Sequence, residues 1–141
     1  MKALLGSLAA AVLLSILIVG CSSGPLTLEE YTEEVCPSQV ELGESEPSTW
    51  GEAEKEFARL FEDMEGVTPP EELGDYHETQ LALVKYFLDY SKEEGADSEL
   101  DIFGAVGTTE FQELATGFRQ AWNGLEDETQ SLLESSGCDA G

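Results

Sequence analysis

Four times along the chain a threonine is followed three residues later by a glutamate or glutamine: Thr27-Leu28-Glu29-Glu30, Thr49-Trp50-Gly51-Glu52, Thr68-Pro69-Pro70-Glu71 and Thr109-Glu110-Phe111-Gln112. In such a capping box the threonine hydroxyl accepts the amide hydrogen of the third helical residue. The acidic or amide side chain there reaches back to the threonine's own N–H. Each box satisfies donors that a helix start leaves orphaned, so the pattern commits the chain to helices at four places. The third places Pro69 at the first helical position, where its fixed φ suits a helix and its missing N–H is not needed. Gly66, Gly95 and Gly137 stand where helix stops are expected.

Apolar residues recur with the matching period. Trp50, Ala53, Phe57, Leu60, Phe61 and Met64 are spaced by threes and fours. So are Leu73, His77, Leu81, Val84 and Leu88 on a segment from about Pro69 to Glu94, which would be roughly 39 Å long. Phe111, Leu114, Ala115, Phe118, Ala121, Trp122 and Leu125 repeat the pattern. One stripe per helix requires a shared core, which predicts an all-α bundle of about four main helices. Asn123-Gly124 is expected to break the last long segment, so that Glu126-Asp127-Glu128 opens a short C-terminal helix carrying Leu132 and Leu133. The first helix offers only Leu28, Tyr31 and Val35 and is weak alone. Pro37 to Ser48 and Ala96 to Thr108 read as connections, with no internal repeat and no strand pairing expected.

Ahead of these helices lie Met1 and Lys2, then an uncharged run from Ala3 to Val19 rich in Leu, Ala, Ile and Val. Those are the n-region and h-region of an export signal. A permanent membrane helix is the competing reading, since such a run nearly crosses about 30 Å of hydrocarbon. The residues at its end favour the signal: Ile18-Val19-Gly20-Cys21 resembles the lipobox of bacterial lipoproteins. The resemblance implies cleavage before Cys21 and lipidation of that cysteine, whose thiolate is the nucleophile that forms the thioether. The expected organisation is a signal peptide over 1–20, a lipidated tether over 21–26 and an acidic helical domain over 27–141. The expected address is the cell envelope, on the extracytoplasmic side of a bacterial membrane. From Cys21 to Thr27 the tether spans at most about 20 Å, so the domain stays close to the headgroups. The segment Thr68-Pro-Pro-Glu-Glu-Leu through Asp75-Tyr-His77, with the terminal Leu-Leu-x-x-x-Gly-Cys138, resembles parts of small helical lipoproteins that carry no assigned function. That likeness covers about half of the mature chain and transfers no residue roles.

Removal of the signal takes away Lys2, so the formal charge of −24 becomes −25 on 121 residues. All thirty acidic residues remain, against Lys55, Arg59, Lys85, Lys92 and Arg119. Twelve aromatics and the regular apolar spacing separate the chain from a disordered one. Nucleic acid is excluded as a partner because no basic surface can meet its phosphates. Anionic headgroups should repel the domain, which leaves the lipid as its attractive contact with the membrane.

With Cys21 assigned to lipid, Cys36 and Cys138 remain in an exported chain, where disulfides persist. One bridge between them is the favoured reading, with two free thiols or half of a metal site as alternatives. His77 is the single histidine and lies on an apolar stripe; lacking an HExxH or paired EXXH partners, it reads as a core residue rather than a catalyst or ligand. Asp97, Glu99 and Asp101 alternate like the first ligands of a calcium loop, but Ile102 stands where that loop needs glycine and Thr108 where it needs glutamate. They are a candidate cation site, with solvated loop carboxylates as the plainer reading. Leu100, Ile102, Phe103 and Val106 form an apolar segment that would mark a partner surface if exposed. Trp50, Trp122, Phe57, Phe61, Phe87 and Phe118 could line an apolar cavity between helices or simply fill the core. No nucleophile elbow, phosphate loop or dinucleotide fingerprint occurs in the mature chain. The expected function is a noncatalytic interaction or envelope component with an envelope protein as its possible partner and no cofactor. The alternative is a binding protein for a small apolar ligand or divalent cation, and a hydrolase ranks last.

Overall fold

A computed structural model describes residues 24–138; the expected signal peptide and the expected lipidation site Cys21 lie outside them. Among the described residues six α-helices follow one another: α1 (Leu28–Glu44), α2 (Trp50–Glu65), α3 (Gly74–Glu94), α4 (Ile102–Val106), α5 (Thr109–Asn123) and α6 (Asp127–Ser135). They form the all-α bundle the periodicity requires. The central member is α3, which packs on α2 along one side and α5 along another. It is buried on more than one face: Tyr76, His77, Gln80, Val84, Tyr86, Leu88 and Ser91 are all withdrawn from solvent.

The helix starts divide into those made as written and those that are not. Thr27 forms the full box, its hydroxyl accepting from Glu30 N–H and the Glu30 carboxylate accepting from Thr27 N–H at 2.8 Å. Thr49 accepts from Glu52 N–H, but the Glu52 carboxylate turns to the N–H and hydroxyl of Ser48 instead. Those bonds hold its pKa below the usual carboxylate range. At the last box the cap is Thr108, one residue earlier than expected, accepting from Phe111 N–H. Thr68 caps nothing. The chain stays extended through Pro70, makes a single tight turn over Glu71–Leu73, and α3 begins at Gly74. Two consecutive prolines explain the difference, because Pro70 biases Pro69 away from the helical region.

A second correction concerns α1, which runs straight through Pro37 to Glu44 where a polar connection is expected. Proline removes the hydrogen bond to the carbonyl four residues earlier, that of Glu33, and disturbs the helix there. Both Pro37 and Glu33 are exposed, so water can take the freed carbonyl. The far half of α1 is then held by its neighbour: Ser38 donates to Asp63 Oδ2 at 2.6 Å, and Arg59 pairs with Glu41 at 2.6 Å. Cys36 and Cys138 are bridged, both fully buried, with their Cα atoms 5.0 Å apart. The bridge clamps α6 and Ser136 to Cys138 onto α1. At Gly137 the backbone takes a φ of +86°, and a side chain there would run into Val40.

The core has two adjoining parts. Tyr31, Val35, Leu60, Met64, Tyr76 and Leu133 fill the part nearest the start of α1. Trp50, Ala53, Tyr86 and Ala105 fill the other, and Phe57 touches both. The second part is closed by a short pairing of chain segments that the sequence reading does not anticipate. Thr49 and Glu99 form an antiparallel bridge. Trp50 N–H donates to Ser98 O at 3.0 Å, Gly51 N–H to Ala96 O at 3.1 Å and Leu100 N–H to Ser48 O at 3.1 Å. Gly51 makes this possible, since a Cβ there would lie 2.7 Å from the Ala96 carbonyl oxygen.

Candidate functional site

His77 is held on both sides. Its Nδ1 lies 3.0 Å from the Tyr31 hydroxyl, and the ring N–H donates to the Met64 carbonyl. Burial, and secondarily Tyr76, pushes the Tyr31 phenol far above its usual pKa, so it stays protonated; with the neutral ring's one N–H given to Met64, the phenol is the donor to Nδ1. Burial pushes the His77 pKa below 6.5, with the Met64 bond opposing it. The ring is therefore a neutral, saturated core group with no carboxylate orienting it. Tyr31→Phe should cost about 1 to 3 kcal/mol in urea unfolding, because Nδ1 would be left buried without a donor. The lowered pKa also sets a pH dependence: the unfolded chain binds the proton more readily, so stability is complete above about pH 6.5 and falls as pH drops through the folded value. Against His77→Gln, which does not titrate, the wild type should lose ground between pH 7.5 and pH 5. A constant difference between the two would show that the ring is not desolvated.

Asp97, Glu99 and Asp101 are all exposed and are not brought together. Glu99 lies in the bridge to Thr49, while Asp101 Oδ1 accepts from Gly104 N–H at 3.2 Å as the cap of α4. Among the described residues, no group of three or more His, Cys, Asp or Glu side chains is placed to hold a metal ion.

The apolar segment after Asp101 is split. Leu100 packs against the core part containing Trp50, and Val106 is half-buried. Ile102 and Phe103 face solvent, with Phe103 83% exposed. The short helix that carries them is pinned from below. Ala105 is fully buried, and its carbonyl accepts from the Tyr86 hydroxyl at 2.7 Å. The same hydroxyl lies 2.7 Å from Thr108 Oγ1, and Gln112 Nε2 donates to Val106 O at 2.7 Å. The surface beside this platform is acidic, with Asp89, Glu93 and Glu110 around a shallow hollow.

The candidate cavity aromatics also divide. Trp50 lies against Tyr90 and Trp122 against Tyr76, with ring centroids 5.1 and 5.7 Å apart, and Phe61 packs on the first core part. Phe57, Phe87 and Phe118 do line a cleft of about 420 Å³ between α1, α2, α3 and α5. Two residues that the sequence reading passes over sit in its wall, Gln39 and Gln80; Gln39 Nε2 and Gln80 Oε1 are sealed from solvent beneath it, both without a hydrogen-bond partner. The sequence carries a signal for Gln80, which follows His77 by three and precedes Val84 by four on the apolar stripe.

Comparison with known proteins yields no matching family model, no matching curated relative and no matching solved structure. No helix among the described residues is long and apolar enough to cross a membrane.

Proposed function

We propose that this chain is a lipid-anchored, extracytoplasmic bacterial lipoprotein acting as a noncatalytic interaction component of the cell envelope. The observation that carries the reading is Phe103, a large aromatic left 83% exposed on a helix whose backbone is fixed from below. A pinned apolar side chain on a platform beside an acidic hollow fits a partner protein with an apolar pocket and lysine or arginine nearby. The placement of the tether supports the same partner class. Leu26 N–H donates to Thr68 O at 2.9 Å, so the chain enters the bundle where α2 ends and α3 is about to start. The knob on α4 follows the opposite end of α3, whose 21 residues extend about 32 Å. A lipid on Cys21 would thus hold Phe103 at the end turned away from the headgroups.

Two measurements test this. Cys21→Ser should remove the lipid mass and move the protein from the membrane fraction to the soluble one; unchanged mass and fractionation would sink the anchor. Phe103→Ser should leave the melting temperature unchanged, since the side chain makes little contact, yet weaken partner crosslinking at the membrane by about tenfold or more. Crosslinks that survive the substitution would remove α4 as the contact.

A further inference from the structure

We infer that the cleft between α1, α2, α3 and α5 binds a small neutral amphiphile, a molecule with an apolar body and a hydroxyl or carboxamide head. Its volume of about 420 Å³ is in the range of small-molecule sites. Leu42, Leu83 and the stacked rings of Phe57 and Phe87, 5.1 Å apart and 10° from parallel, provide an apolar wall. The polar side chains on that wall are the two glutamines. Gln80 is 92% buried, and its Oε1 lacks a donor; Gln39 Nε2 is a buried donor that lacks an acceptor. Buried amide groups left unpaired are costly, and native folds complete them with protein, water or ligand. Both orphaned atoms are sealed from solvent beneath the wall, so the ligand's head meets them only as the side chains turn outward; a hydroxyl or primary carboxamide both donates and accepts, which is what the turned pair requires.

Charge narrows the ligand further. Neither an acidic nor a basic side chain lines the cleft, and the formal charge of the whole chain is −24. A carboxylate head would enter without a counter-charge and against the field of the domain, so the head is neutral. Neither the α4 knob nor the Cys21 anchor takes part, and the site stands or falls independently of both.

The test uses the full chain in lipid nanodiscs with 1-hexanol and hexanamide as probes. Pentyl methyl ether, which can accept but cannot donate, is the matched control. The two probes should raise the melting temperature of the wild type, and the ether should bind about tenfold more weakly. Gln80→Leu removes the orphaned oxygen. It should melt no lower than the wild type without probe and should lose the preference for hexanol over the ether. A diazirine analogue of hexanol should label residues 39–43 and 80–87. Should Gln80→Leu fail to fold, Gln39→Leu on the cleft's other wall must weaken both probes by a similar factor. Equal responses of wild type and variant, or photolabel confined to lipid and other parts of the chain, would mean that the cleft holds only water and would overturn the proposal.

Discussion

Reducing the Cys36–Cys138 bridge should destabilise the domain by up to about 4 to 5 kcal/mol, the chain-entropy value for a closed loop of this length. The two cysteines are 102 residues apart in sequence, so the bridge removes a large share of the unfolded chain's freedom. The native contacts it supports are local and few. Within α6 only Leu133 is a fully buried apolar side chain; after it, Cys138 N–H donates to Leu133 O at 2.9 Å and Cys138 O accepts from Tyr76 OH at 3.3 Å. Denaturant unfolding with and without a phosphine reductant measures the loss. Amide exchange should then show α6 opening first. Alkylation of denatured, nonreduced protein should find both thiols blocked; two free thiols in native material would remove the bridge and this prediction with it.

Raising NaCl from about 0.01 M to about 1 M at pH 7 should raise the melting temperature substantially, as the screening length falls from about 30 Å to about 3 Å. None of the described carboxylates is buried; apart from Glu54 and Glu56, which are half-buried, all are exposed. Their repulsion therefore acts through solvent, where salt can screen it. The ion pairs that oppose it are few and lie on the surface: Arg59 with Glu41 and Glu56, and Lys85 and Lys92 with Asp89. Exposed pairs of this kind contribute about 0 to 1 kcal/mol each, so weakening them by salt should not offset the gain. Calcium at matched ionic strength should add little beyond NaCl, because Asp97, Glu99 and Asp101 do not converge. A flat NaCl response would show that the charges are spaced too widely to repel, and a large calcium excess would show that carboxylates gather around the ion when it is present.

The parts of the fold legible in the sequence are those fixed by local chemistry. The Thr27 box, the apolar stripe of α2, the break at Asn123-Gly124 and the stop at Gly95, whose φ is +88°, all follow from residue type and spacing. The misreadings arise where tertiary contacts outweigh a local rule. Pro37 argues for a helix end, yet the ties from Ser38 and Glu41 to α2 keep α1 going, and nothing in the α1 sequence announces Asp63 and Arg59 as its partners. Thr68 has the spacing of a cap but two prolines after it. The bridge from Thr49 to Glu99 joins segments fifty residues apart and has no strand pattern on either side. At the candidate sites, the segment Leu100 to Val106 was visible as apolar, but only the packing of Ala105 and Tyr86 decides which side chains turn outward. Gln39 lies in a stretch whose polar sequence argues for a connection rather than a helix.

The bridge also governs how the molecule carries mechanical load. A pull on the chain ahead of α1, resisted at the other end, passes through Cys36 and crosses directly to Cys138. The covalent ring shields everything between them from tension. From Gly24 to Cys36 only twelve residue steps can pay out, about 42 Å at full stretch. Beyond that length the force meets a disulfide, and α2, α3 and α5 stay folded. In a single-molecule stretching experiment the intact protein should give a short extension and then stiffen, whereas the reduced protein should release the whole domain.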